Sequence, residues 1–234
     1  MKFGLVLLLI AFQPESFGPG GKFHLQHSQD SFGMRSHGVM ETLAGNQTKF
    51  YPLPQSTVAD FVRLRSNEPA VKVSTPVTPG NYERQEVVGA YQFEAGKVWF
   101  GKSFYDSEGC RGVGAFGYFD TASRSYTLFS PPEIVSYEVS AILVQPDTVW
   151  LGLDQFIEDI STVPGGLLRW NRATQEAQKY PLEFAIQKIE LEGDSLRLKA
   201  RDGYALFHDG EVRRFLTNGR PIAKFAPPPS HYSN

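Results

Sequence analysis

Two acidic stretches hold the residues best suited to chemistry. Asp106, Glu108 and Arg111 stand in one polar segment, and Asp154, Glu158 and Asp159 in another. Carboxylate oxygens gathered in one place bind a hard cation such as Ca²⁺. A mixed acidic and basic set hydrogen-bonds a sugar or a cationic ligand. All six are therefore ligand-binding candidates, and Asp154, Glu158 and Asp159 are the metal candidates. The competing reading is solvated charge on surface loops, since the D-x-[DN]-x-[DN]-G spacing of a dedicated Ca²⁺ loop is absent.

Other reactive side chains are few. His37, in Arg35-Ser36-His37-Gly38, is the candidate general base if that segment is a loop, although a lone loop histidine is more often merely solvated. His24 and His27 form an H-x-x-H, but in a strand that spacing sends them to opposite faces and spoils a shared metal site. His208 falls in a tight turn and reads as structural. Cys110 is the single cysteine, so no disulfide forms within the chain; Arg111 beside it favours a thiolate, but no histidine is adjacent to activate it. The string GCRGVGAFG runs into a strand pattern rather than a helix, which rejects a phosphate-cradling fingerprint. No complete catalytic constellation is legible.

The elements that position these residues come from a repeat. ILVQPDTVWLGLD leads through an acidic segment to GGLLRWNRATQEAQKYPL; AYQFEAGKVWFGKSF leads to GAFGYFDTASRSYTLFSPP. Related copies lie around Leu196 and Phe32. Each is four short runs alternating at period two, separated by turn residues, at a period of about 40–50 residues, which is the signature of a propeller. In the clearest copy the strands are expected at Ser140 to Val144, Val149 to Leu153, Gly166 to Asn171 and Gln178 to Leu182. Gln29-Asp30, Glu94-Ala95-Gly96, Gln145-Pro146-Asp147 and Glu192-Gly193-Asp194 read as turns between strands one and two. The connections between strands two and three read as long loops at 102–113 and 154–165, both on one face of the disc, where function is to be sought. The irregular stretch 55–81 fits a truncated fifth blade beside the four clear ones.

The phrases VWFG and VWLG, followed by GGLLRWNRATQ and a closing YPL, resemble the repeats of two-component regulator propellers and virginiamycin B lyase-like propellers. The resemblance implies that Trp99 and Trp150 pack between blades. It also implies that Gly101 and Gly152 let the next sheet approach closely. Phe32-Gly33 matches less well, and the copy at Leu196 lacks both residues. The lyase-like relatives use a histidine and a metal, a pattern with no counterpart here.

Bulk properties bound the rest. A chain of 234 residues with net charge −2 and no basic block carries no electrostatic footprint for nucleic acid. No run of eighteen apolar residues marks a membrane span. Met1-Lys2 followed by FGLVLLLIAF has the length of a signal-peptide core, giving an expectation of export to the periplasm or outside the cell; a retained strand, and then a cytoplasmic protein, is the alternative. Asn46-Gln47-Thr48 is a glycosylation sequon in what reads as an ordinary turn. The expected organisation is an N-terminal apolar segment at 1–21, an all-β small propeller of four-stranded antiparallel blades at 22–225, and an extended tail at 226–234. The expected function is a non-catalytic module, without a required cofactor, binding a protein, small-molecule or carbohydrate ligand. One alternative is a metal-assisted lyase or hydrolase at the propeller mouth; another is a blade array completed by a homo-oligomer.

Overall fold

A computed structural model describes residues 22–29, 35–56, 85–105, 110–135, 137–157, 160–216 and 219–220. The fold is all-β and propeller-like. Blade 1 consists of β1 (Lys22–Gln29), β2 (Arg35–Thr42) and β3 (Thr48–Pro52); blade 2 of β4 (Gln85–Glu94), β5 (Lys97–Tyr105), β6 (Cys110–Asp120) and β7 (Ser125–Phe129). Blade 3 consists of β8 (Glu138–Val144), β9 (Thr148–Ile157), β10 (Ile160–Asn171) and β11 (Ala177–Tyr180); blade 4 of β12 (Lys188–Glu192), β13 (Ser195–Ala200), β14 (Gly203–His208) and β15 (Glu211–Leu216). Every sheet is an antiparallel meander in chain order, three-stranded in blade 1 and four-stranded in the others.

Local chemistry explains the turns. At Ala95-Gly96 and Asp209-Gly210 both residues have positive φ, as a two-residue hairpin turn twisted to match its strands requires. The turns between strands three and four repeat one device. Asp120 Oδ1 accepts the backbone N–H groups of Ala122 and Ser123, and Asn171 Oδ1 accepts those of Ala173 and Thr174.

Alternation then gives each strand one face per neighbouring blade. Phe23, Leu25 and Val39 of blade 1 pack on Val98 and Phe119 of blade 2. Trp99 and Phe116 of blade 2 pack with Val139, Val149, Leu151, Leu168 and Trp170 of blade 3. Ala141 and Leu167 of blade 3 pack with Ile189, Leu196, Leu198, Ala205 and Phe207 of blade 4. Among the described residues there are thus three apolar seams for four blades, and none joins blade 4 to blade 1. Within the described residues the sheets form an open arc.

The outward face of blade 4 is of another kind. Arg197 pairs with Glu192 at 2.9 Å and lies 3.9 Å over the Tyr204 ring, which stacks on Phe215. Lys188 and Lys199 both pair with Glu190. Charged side chains cover this face where the seams are oily.

Two expectations are corrected. Blade 1 was expected to have four strands with a turn at Gln29-Asp30, yet β1 pairs with β2 in unbroken register from Lys22↔Thr42 to Gln29↔Arg35. That pairing places His37 within β2, while the residues read as a separate second strand, Phe32-Gly33 among them, lie outside the described residues. The segments 102–113 and 154–165 are also not long loops: the strands run on to Tyr105 and Ile157 and resume at Cys110 and Ile160. They are hairpins extended beyond the blade body, with tips at 106–109 and 158–159 that lie outside the described residues. Register shifts between Lys102 and Phe104, between Val139 and Ala141, and between Pro164 and Gly166 mark where ribbon departs from body. The proposed fifth blade at 55–81 falls almost wholly outside the described residues, as do the N-terminal segment 1–21 and the tail 226–234.

Candidate functional site

The extended hairpins β5–β6 and β9–β10 belong to adjacent blades and leave them on the same side. On blade 4 the equivalent connection is the tight turn Arg201-Asp202 between β13 and β14. Asp154 stands at the root of the second hairpin, opposite Glu138 on β8 and Pro164 on β10. It is 7% exposed, and its Oδ1 has no hydrogen-bond partner among the described residues. Burial pushes its carboxyl above the ordinary range, against the opposing pull of Glu138 and Ser140. Ser140 reaches onward to the link that leads into blade 4, donating to the Ile186 carbonyl at 2.8 Å.

The remaining acidic candidates divide. Asp106, Glu108, Glu158 and Asp159 lie outside the described residues, and Arg111 is described only as a backbone position of β6, paired with Phe104. The same holds for Cys110, paired with Tyr105. Among the described residues no group of three or more His, Cys, Asp or Glu side chains converges as a metal site.

His37 is not on a loop. Its Nδ1 accepts the Val88 N–H at 3.0 Å, and its carbonyl accepts the Leu53 N–H at 2.9 Å. An imidazole that accepts at Nδ1 is neutral with its proton on Nε2, and here it ties blade 1 to blade 2. His208 ends β14, with Nδ1 3.1 Å from the Asp194 carbonyl.

Other functional-looking groups turn out to join the blades. Trp99 donates its indole N–H to Glu94 at 3.0 Å, and Trp150 donates to Gln145 at 2.9 Å, each to the residue five earlier. In blade 4 Arg197 occupies the corresponding place and reaches Glu192, again five earlier. Arg172 of blade 3 crosses to Glu94 at 2.7 Å and lies over the Trp99 ring. Gly101 and Gly152 do admit the next blade: a Cβ on Gly101 would lie 2.3 Å from Val139 Cβ, and one on Gly152 would lie 2.9 Å from Ile186 Cβ. Phe23 faces blade 2 as the tryptophans face their following blades, whereas Phe32-Gly33 lies outside the described residues.

Sequence reasoning missed the densest polar cluster. Glu41 is 2% exposed, accepts from Tyr51 at 2.7 Å and receives Arg124 from blade 2 at 2.8 Å. Arg124, chiefly by hydrogen bonding, holds the Glu41 carboxyl below its ordinary value. Beside it, the Tyr126 hydroxyl donates to the Tyr51 carbonyl and accepts the Val39 N–H, and burial pushes its phenol up to about 12. The partners that join blade 1 to blade 2 lie 75 to 87 residues apart in sequence, so no local motif announces them.

No family model matches the chain, and no curated protein matches it. Among solved structures it is similar to the extracellular domain of the two-component system protein BT4673 from B. thetaiotaomicron. That similarity has a TM-score of 0.36 and 12% identity, covering 88% of this chain and 34% of the other. It is also similar to a Bacteroides ovatus protein named as a hydrolase, with a TM-score of 0.31 and 9% identity, over 90% of this chain and 67% of that one. The chain therefore spans about a third of the length of the first. Neither overlap bears on what the chain binds. No helix among the described residues is long and apolar enough to cross a membrane.

Proposed function

We propose that this chain is a non-catalytic binding module, exported on its N-terminal apolar segment, whose ligand or protein partner docks on the face from which β5–β6 and β9–β10 project. The observation that carries the reading is the paired extension of these two hairpins from neighbouring blades. Rigid seams hold the blades while the projecting ribbons supply variable surface, the usual division between scaffold and recognition. The engagement of His37 with the Val88 N–H supports binding over general-base chemistry. Asp154 and the acidic residues toward the hairpin tips are the proposed contacts, with Ca²⁺ or a saccharide as ligand.

A thermal-shift screen with calcium chloride and with neutral and acidic saccharides tests this. Each hairpin is then cut back to a two-residue Asn-Gly turn, joined after Lys102 and before Ala115 in one case, and after Leu153 and before Gly166 in the other. A stabilising ligand whose effect disappears in the shortened but still cooperatively melting protein supports the reading, because binding to the native state alone raises stability. A ligand effect that survives the loss of both hairpins sinks it.

A further inference from the structure

A second site lies away from the hairpins, in a groove of about 370 Å³ between the outer strand of blade 2 and the strand three–four turn of blade 3. Phe129, Pro131, Pro132, Trp170 and Gln175 line it together with Glu133. The volume suits one side-chain-sized group. We propose that this groove binds an alkylguanidinium, with Glu133 as its counter-charge.

The argument begins with Glu133. It is half-buried, its Oε2 is closed off from solvent without a hydrogen-bond partner, and no lysine or arginine among the described residues pairs with it. A carboxylate shut away on one side and uncompensated is costly, and a charged donor from the open side relieves that cost. The position is fixed before any ligand arrives. Ile134, next in the chain, is fully buried, its carbonyl packs where Gly114 leaves room, and it accepts the Tyr137 N–H at 3.2 Å.

The walls decide between cations. Phe129 and Trp170 line the groove with Glu133, and a planar, weakly hydrated guanidinium stacks on an aromatic face while its fork addresses a carboxylate; an ammonium makes poorer use of both. Gln175 in the lining has a φ of 59° and donates its N–H to the Asn171 carbonyl at 2.9 Å.

The test uses the full chain titrated with butylguanidine and with capped Gly-Arg-Gly, following the Trp170 indole N–H by NMR, assigned with Trp170→Phe. Saturable shifts are expected, weakened by added salt and by about tenfold or more in Glu133→Gln. Tighter binding of the tripeptide assigns the site to protein side chains; equal binding assigns it to free guanidines. The proposal is overturned if neither probe saturates, if capped Gly-citrulline-Gly binds as well as the arginine peptide, or if Glu133→Gln binds unchanged. Salt dependence in the unsubstituted protein provides a readout that needs no variant. The guanidinium titration uses the chain with both hairpins intact, and none of the groove's lining residues lies in the segments cut from either hairpin, so failure here and failure of the hairpin reading are distinguishable.

Discussion

Glu41 of blade 1 takes Arg124 of blade 2 on both carboxylate oxygens, at 2.8 and 3.1 Å, across 83 residues of sequence. Its carboxyl is buried while nearly half of the Arg124 side chain remains exposed, so the carboxylate is the member that suffers if the pair is broken.

Glu41→Gln is therefore expected to destabilise the protein by about 1.5–3 kcal/mol at neutral pH, the usual worth of hydrogen bonds to a charged group. Because the folded-state value of Glu41 lies below its unfolded one, its contribution is present above about pH 4.3 and is lost as pH falls through the folded value. Urea midpoints for the two proteins should therefore stay apart above about pH 4.3 and converge as pH falls below it. Parallel curves would show that the pair adds nothing to stability.

Asp154 has the opposite sign. Burial raises its folded-state value, so its stabilising contribution is complete below the unfolded value of about 3.9 and disappears as pH rises through the folded one. Asp154→Asn, which stays neutral, should match the unsubstituted protein in acid and exceed it by on the order of 1 kcal/mol at neutral pH. The same denaturation series measures this, and a variant less stable at neutral pH would refute the sign.

Gly101→Ala separates close approach of the blades from backbone freedom. The new methyl would meet Val139 Cβ at 2.3 Å, so the seam between blades 2 and 3 must open, at about 1–3 kcal/mol. Gly45→Ala meets nothing within 4 Å and strains only a φ of +74°, for about 1 kcal/mol. If thermal melts showed equal losses, the packing role of Gly101 would be wrong.

Much of the blade was legible because its signals are local. The turns at Asp120 and Asn171, the alternation of strands and the Trp–x–Gly spacing each involve residues a few positions apart, and all appear in place. The hairpins were misread because acidic residues at 158 and 159 resemble a loop, although Phe156-Ile157 just before them are strand-favouring types that fit a continued strand. His37 was misplaced by a one-strand error in blade 1, where Phe23 stands in for the tryptophan that anchors the later copies. The Glu41–Arg124 pair and the burial of Asp154 depend on which blades meet, and period-two patterning carries no such information.

The open arc has a thermodynamic consequence. Among the described residues, four sheets joined through three seams make a linear array, in which cooperativity passes from one contact to the next, as in a one-dimensional Ising chain. Among the described residues, blades 2 and 3 have a neighbour on both sides, whereas blade 4 packs on blade 3 alone. Amide exchange should then be graded along the chain, fastest in the outermost strands of blade 4 and slowest where Trp99, Phe116 and Trp170 meet.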